Sequence, residues 1–400
     1  MTYKTSTISG VCSVVTDGSH YSPKSVDDGC YMVSVKDFTE YGFDFSRCRK
    51  ISDQDYEDLK KAGCVPEYGD ILVGKDGARY FEDIIIYRQP EKPALLSSIA
   101  ILRCNQDEIL PEYLYYLLRT PSYKKDVKDN YGSGSAIPRI ILKDFKRMPI
   151  QYPSLPIQRR IVSVLKVIDA KIQTNIKIND NLYAQARAIT NQWIAENKDN
   201  YDLLSLSEIA AINPDTYSPK ERWEFVNYLD TSSITDGCIS DIQHIIPTCE
   251  KLPSRARRII APNDVVFSTV RPNQRHFGII SKPLPNMLAS TGFAVIRSEH
   301  PSVCNELIYI CLTEDAFIEK MQQLAEQSTS TFPSIKPSDL GVCDIPCPKD
   351  GLSSNLKGML RALFTLIAAN HCENATLTEL RDSLLTKLMS GEIDVTCIEI

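Results

Sequence analysis

A hydrophobic seam with two asparagines at its centre occurs twice in this chain, and that repetition constrains the fold more than any other feature. From Ile161, alternating steps of four and three give Ile161, Leu165, Ile168, Ile172, Asn175, Asn179, Leu182, Ala186, Ile189 and Trp193. The same stepping 195 residues later gives Leu356, Leu360, Leu363, Ile367, Asn370, Asn374, Leu377, Arg381, Leu384 and Leu388. This spacing is that of a coiled-coil seam. Each asparagine pair sits at the midpoint of its own seam, so an antiparallel pairing places Asn175 opposite Asn374 and Asn179 opposite Asn370. A parallel pairing would also match Asn with Asn, so the seam alone does not fix direction. Connectivity favours antiparallel: residues 194–355 are ample for an intervening domain, and domain, helix, domain, helix is easily arranged about a pseudo-two-fold axis. Asparagine at a core position costs stability but selects register, because an amide slipped opposite isoleucine is left unpaired. The plainer reading, two amphipathic helices each packing on its own domain, gives no reason for the shared asparagine positions.

With 400 residues, 43% of them apolar, the chain can build two or three domains. No run approaches the roughly 18 unbroken apolar residues of a membrane span, and MTYKTSTISG lacks the apolar centre of a signal peptide. A cytoplasmic protein with no membrane association is expected. The 13 cysteines are odd in number and include no C-x-x-C, and Cys343 with Cys347 comes nearest to a metal pair. With five histidines, none near that pair in sequence, the thiols are read as reduced and mostly buried, and no metal is expected. A net charge of −6 argues against indiscriminate coating of nucleic acid, yet the cations cluster. Lys251, Arg255, Arg257, Arg258, Arg271, Arg275 and Lys282 stand against Asp264 alone, and Arg119–Arg147 holds eight basic residues against three acids. The usual meaning of such runs is a solvated face.

Taken in order, residues 1–152 alternate β-type runs with turns: Tyr31–Val35, Ile71–Gly74, Ile84–Tyr87 and Ile99–Leu102. TDGSHYSPK (Thr16–Lys24) and GKDGARY (Gly74–Tyr80) read as polar loops. Leu110–Leu118 reads as a helix with Pro111 in its first turn and Tyr113, Leu114, Leu117 and Leu118 on one side. NYGSGSAIPRI (Asn130–Ile140) is too rich in Gly and Ser for regular structure. Residues 200–352 repeat this order. FVNYLD (Phe225–Asp230) answers MVSVKD (Met32–Asp37), NDVVFSTVRPN (Asn263–Asn273) answers GDILVGKDGAR (Gly69–Arg79), and FAVIR (Phe293–Arg297) answers IAILR (Ile99–Arg103). The expected fold is mixed α/β (α+β): globular domains in tandem duplicate, 1–152 and 200–352, separated by two long helices, 153–199 and 353–400, that form an antiparallel coiled coil. The loops inside the repeat keep position and polarity but change side chains, as two readers of two different targets would.

YPSLPIQRRIVSVLKVIDAKI (Tyr152–Ile172), RDSLLTKLMSGEIDV (Arg381–Val395), TDGSHYSPK and GDILVGKDG carry a resemblance. The chain is similar, over essentially its whole length, to the specificity subunit of type I restriction-modification enzymes, in which two target recognition domains alternate with two helical regions. Two departures stand out: Ile157 occupies a position where the family commonly has Glu, and IPCPKDGLSSN (Ile345–Asn355) opens the second helix without a counterpart of Gln158. The resemblance implies a non-catalytic subunit. Independently, the chain has no Asn/Asp-Pro-Pro-aromatic motif, no Gly-rich S-adenosylmethionine loop and no GxxxxGK[ST] phosphate loop, and NPDT (Asn213–Thr216) reads as a turn. S-adenosylmethionine, ATP and Mg2+ are then expected in partner subunits: two methyltransferase (M) subunits docked on the outer helix faces, and restriction/translocase (R) subunits brought in through the complex.

A 33-residue seam at about 1.5 Å per residue makes a rod of about 50 Å, roughly one and a half turns of B-DNA. Two readers on such a spacer imply a bipartite, asymmetric double-stranded DNA site. Base edges in the major groove call for Arg, Lys, Asn and Gln. The candidates are His20, Lys24, Lys75, Arg79, Ser133, Ser135 and Arg139 in the first domain, and Arg271, Asn273, Gln274, Arg275, Ser330, Thr331 and Lys336 in the second. Arg255, Arg257 and Arg258 are expected as phosphate clamps. The competing reading is a coiled-coil scaffold that spaces two protein-binding modules without touching DNA.

Overall fold

The duplicated sequence folds twice. The computed structural model describes residues 2–46, 48–132, 138–328 and 332–396. It comprises unit 1, Met1–Ile172 with Thr376–Ile400, and unit 2, Gln173–Ala375.

Unit 1 contains strands β1 (Lys4–Thr7), β2 (Cys12–Asp17), β3 (Cys30–Val33), β4 (Arg49–Ile51), β5 (Ile71–Gly74), β6 (Ile84–Ile86), β7 (Ala94–Leu95), β8 (Ile99–Cys104) and β9 (Pro149–Tyr152). Its helices are α1 (Ile8–Val11), α2 (Asp53–Lys61), α3 (Pro111–Arg119), α4 (Pro121–Tyr131), α5 (Leu142–Arg147) and the start of α6 (Leu155–Glu196). The central sheet has the order β2-β8-β5-β6 and is antiparallel throughout. A second sheet, β4-β3-β7, includes a parallel β3–β7 pair, and β1 pairs with β9. Ile71, Val73, Ala100 and Leu102 point into a core shared with α3, α5 and α6, whereas Leu72, Ile99 and Ile101 face Val33, Leu95 and Phe43 on the other side. Burial on both faces explains why β5 and β8 read as continuous apolar runs rather than alternating ones.

The expected Tyr31–Val35 strand stops at Val33, because Ser34 caps a short 3-10 turn, Val35–Asp37, with its side chain, and its amide donates in return to the Asp37 carboxylate. The helix expected at Leu110–Leu118 is α3, with Pro111 at its start. Burial on α3 is not confined to one side: every residue from Tyr113 to Leu118 is buried, because α3 is packed by both the sheet and α6.

Unit 2 repeats the plan with β10 (Tyr201–Ser205), β11 (Ala210–Ile212), β12 (Val226–Leu229), β13 (Ile234–Thr235), β14 (Cys238–Ile239), β15 (Gln243–Ile245), β16 (Ala256–Ile259), β17 (Asp264–Ser268), β18 (Phe277–Ile280), β19 (Met287–Ser290), β20 (Phe293–Ser298) and β21 (Asp344–Pro348). Its helices are α7 (Leu206–Ile209), α8 (Asn305–Leu312), α9 (Asp315–Glu326), α10 (Pro337–Gly341) and the first part of α11 (Ser354–Ser390). The sheet β11-β20-β17-β18 matches β2-β8-β5-β6, and β15-β12-β19-β16 contains β4-β3-β7 with one strand added. Register is kept as well: Leu72 pairs with Ile101, and Val266 with Val295.

An internal ion pair is also duplicated. Asp70, 1% exposed, accepts from Arg103 Nε and Nη2 at 2.8 Å and from the Glu67 amide at 2.7 Å; Asp264, fully buried, takes the same bonds from Arg297 and Ala261. A buried carboxylate is tolerated there because a bidentate guanidinium and an amide satisfy both oxygens.

The long helices are fastened differently in each unit. In unit 1, Ile161 and Leu165 of α6 share a core with Leu385 and Leu388 of α11. Asp169 accepts from Arg381 Nη1 at 3.2 Å and from the Tyr116 hydroxyl at 2.6 Å. The Gln158 side chain is fully buried: its Oε1 accepts from the Leu110 amide and its Nε2 donates to the Glu108 and Pro153 carbonyls, which anchors the helix opening to the domain. In unit 2 the helices run antiparallel, with Asn175 Nδ2 donating to Asn374 Oδ1 at 2.9 Å and Asn370 Nδ2 donating to Asn179 Oδ1 at 2.7 Å. Lacking a Gln, the second helix opens on Ser353, whose Oγ accepts from the Leu356 amide.

Among the described residues, no helix is long and apolar enough to cross a membrane, and no group of three or more metal-ligating side chains gathers. Cys347 Sγ lies 3.7 Å from His300 Nδ1, a neighbour that sequence distance had hidden. Of the twelve described cysteines six are buried and three are exposed, so burial is less general than composition suggested.

Candidate nucleic-acid interface

In each unit two loops far apart in sequence are joined by the same two hydrogen bonds, which together make one antiparallel bridge. In unit 1 the Gly77 amide donates to the Pro138 carbonyl and the Ile140 amide to the Lys75 carbonyl, both at 2.9 Å, with Asp76 bridged to Arg139. In unit 2 the Arg271 amide donates to Pro333 and the Ile335 amide to Thr269, both at 2.9 Å, with Val270 bridged to Ser334. The offsets are those of the sequence repeat. A third loop joins each platform: the Lys75 amide donates to the Ser98 carbonyl, and the Thr269 amide donates to the Gly292 carbonyl. Backbone bonds thus fix the loops while the side chains remain free to differ.

Unit 1 adds the turn after β2. Gly18 is required there, since a Cβ would lie 2.3 Å from the Leu95 carbonyl oxygen. His20 and Lys24 are exposed, and His20 Nε2 lies 3.6 Å from Asp17. Lys75 is turned inward: it is 5% exposed, its ammonium 3.3 Å from Asp17 and 3.7 Å from Asp76, tying the two loops together. Arg79 is exposed and bonded to Asp83 at 2.8 Å; Arg139 is exposed on the bridge. Lys124 and Lys128 of α4 both bind Glu82, so part of the basic run is neutralised internally. Ser133 and Ser135 lie outside the described residues.

Unit 2 builds its loop from Arg271 to Arg275. Pro272 is buried, Asn273 and Gln274 are exposed, and the Asn273 amide donates to Gln322 Oε1 of α9. Arg275 is held on both sides, by Asp236 and Asp315, each at 2.7 Å. Arg271 instead lies over the ring of the exposed Phe332, 4.9 Å from its centroid. Lys336 is exposed at the start of α10, its amide bonded to Asp339. Ser330 and Thr331 lie outside the described residues. Arg255 is exposed, and its carbonyl accepts from the Thr291 amide, next to Gly292 of the platform. Arg257 donates to the Ser254 carbonyl and Arg258 to Thr216. Burial of the Arg258 guanidinium, whose Nε has no partner among the described residues, holds its pKa below the usual arginine value. Sequence reasoning overlooked Gln322 and Phe332, and also the acids Asp17, Asp236 and Asp315. Asp17 and Asp236 sit in polar Asp-Gly turns, the one signal that could have marked them.

A family model described as "Type I restriction modification DNA specificity domain" matches residues 2–184. The chain is 20% identical, over a 404-residue alignment covering 81% of it and 86% of the relative, to the type I restriction enzyme HindI specificity subunit of Haemophilus influenzae. It is 24% identical to the type I restriction enzyme MjaIX specificity subunit of Methanocaldococcus jannaschii, with 72% of this chain and 71% of the relative covered. It shares its fold with the crystal structure of a type I restriction-modification S subunit from M. genitalium, at a TM-score of 0.51 and 16% identity, covering 97% of this chain and 96% of that one. The duplicated platforms, the packed long helices and these likenesses agree: residues 2–184 carry a type I restriction-modification DNA specificity domain, and the chain resembles type I specificity (S) subunits along most of its length.

Proposed function

We propose that the two units read the two halves of a bipartite, asymmetric DNA site. On this reading residues 1–152 and 200–352 are the target recognition domains, and the helical stretches 153–199 and 353–400 set the gap between half-sites. The observation that carries it is the platform built twice on one backbone plan with different side chains, His20, Lys24, Arg79 and Arg139 in one and Arg271, Asn273, Gln274 and Lys336 in the other. A single symmetric target would need no such divergence. Lys75 and Arg275, held by carboxylates, brace the loops; Arg255, Arg257 and Arg258 bind phosphate. Asn175, Asn179, Asn370 and Asn374 set the register of the spacer.

The outer faces of the spacer dock two methyltransferase subunits. Val167 on α6 and Leu366 on α11, 71% and 53% exposed, are the kind of apolar side chain such docking would cover. S-adenosylmethionine, ATP and Mg2+ are used by the M and R subunits, in the cytoplasm where the DNA is.

The test is co-expression with the cognate methyltransferase subunit and mapping of methylated adenines by single-molecule sequencing. A two-part motif with a fixed gap is expected, and exchanging residues 200–352 for those of a relative should change one half only. A stable complex that methylates no defined motif would reject the reading.

A further inference from the structure

The internal repeat singles out Arg271. Gly77, its counterpart, has φ +94°, a left-handed conformation that glycine adopts without strain, and no atom lies within 4 Å of where its Cβ would be. Arg271 takes the same left-handed side of the map, φ +48°, and makes the same amide bond, to Pro333. Unit 2 therefore keeps the turn and tolerates backbone strain to place a side chain at its apex. A non-glycine residue held at positive φ by surrounding structure points to a use for that side chain.

The side chain is placed for one. Its guanidinium lies over the Phe332 ring, and among the described residues it has no hydrogen-bond or ion-pair partner. The nearby Arg275, also at positive φ, has its donors bound by Asp236 and Asp315. The two arginines of one loop are thus unequal: Arg275 is fixed in place, and Arg271 is an oriented, planar donor fork that none of the described residues engages.

Resting on the two-reader function proposed above, we infer that Arg271, stacked on Phe332, reads a guanine in the half-site of unit 2, and that Arg275 is a positioning residue. The guanidinium fork matches the O6 and N7 acceptors of guanine in the major groove, whereas adenine presents a donor beside its acceptor. Stacking on an aromatic ring fixes the plane of the fork before DNA arrives and lowers the ordering cost of binding.

The experiment uses the chain in complex with its methyltransferase subunit and compares the methylation motif of the parent with those of Arg271→Gly and Phe332→Leu. Arg271→Gly copies unit 1 and relieves the backbone, so its thermal midpoint should not fall below the parent's. The parental motif should contain a guanine in one half at which Arg271→Gly lowers the preference about 5- to 150-fold, with every other position and the other half unchanged. Phe332→Leu should give a smaller loss at the same base pair. A parental motif that Arg271→Gly leaves unaltered, or weakens equally at all sequences, overturns this inference and leaves the two-reader function standing. A parent complex with no motif overturns both.

Discussion

Arg381 offers the sharpest test of how the long helices are held in unit 1. Its side chain and that of Asp169 are 6% and 9% exposed and 3.2 Å apart. Deleting one member of a buried pair costs about 3–5 kcal/mol, because the other charge is left in an apolar setting. The two deletions are not equivalent. Without Arg381, Asp169 keeps one hydrogen bond among the described residues, from the Tyr116 hydroxyl, so Arg381→Ala should reach the upper part of that range. Without Asp169, Arg381 keeps Asp382 at 3.0 Å and Glu40 at 3.7 Å, so Asp169→Ala should fall at the lower end. Unit 2 supplies the control. At the matching positions it has Phe364 and Ala186, both buried, with Phe364 edge-on to Tyr183 and Tyr309. The triple variant Asp169→Phe, Arg381→Ala, Tyr116→Phe transplants that apolar arrangement and removes the hydroxyl that would otherwise be without its acceptor. It should return to within about 2 kcal/mol of the parent, since apolar replacement of a whole buried pair is often neutral. Both tryptophans, Trp193 and Trp223, lie in unit 2, so their fluorescence monitors that unit while hydrogen exchange of the α3 amides reports unit 1 during urea unfolding. A single Arg381→Ala variant losing less than about 1 kcal/mol, the cost typical of an exposed pair, or a triple variant no better than the single, would refute the reasoning.

Three further outcomes are expected. Asn179→Leu leaves the Asn370 amide facing a side chain that cannot accept, and should cost about 1–3 kcal/mol in a tryptophan-monitored melt; no change would remove the register role. Burial holds the pKa of His371 below its ordinary value, and its Nε2 is buried without a partner among the described residues. The unfolded chain therefore binds the proton first, so stability present above about pH 6.5 is lost as pH falls through the folded-state pKa; His371→Leu should reduce that acid-side loss, and an unaltered pH profile by calorimetry would contradict the assignment. Neutralising Arg255, Arg257 and Arg258 should weaken binding to all sequences and reduce the slope of log K against log salt by about 0.9 for each phosphate no longer neutralised. Arg255, the exposed member, should contribute most, and an unchanged salt slope in a binding titration would exclude phosphate binding by these three side chains.

The patterns that repeat over short windows were legible before any coordinates. The 195-residue duplication, the apolar runs that became β5, β8, β17 and β20, and the two long helices follow from hydrophobic periodicity, because a buried strand or seam must present apolar side chains at fixed spacing wherever the chain goes. The platform loops were also legible, as polar breaks at matched positions in both copies, glycine-bearing in the first. What each loop side chain does was not. Lys75 and Arg79 are equally plausible donors as a string of letters, yet Lys75 is buried against Asp17 while Arg79 is exposed beside Asp83. Arg271 and Arg275 look interchangeable, yet two carboxylates 39 and 40 residues away hold the second and none of the described residues binds the first. The seam required asparagine to meet asparagine and left helix direction open; the bonds from Asn175 to Asn374 and from Asn370 to Asn179 are what make the pairing antiparallel in unit 2. Periodicity is a local property, carried by neighbours in the chain. Whether a cation is engaged or available depends on partners that only the folded chain brings within hydrogen-bonding reach, and that the tertiary structure alone decides.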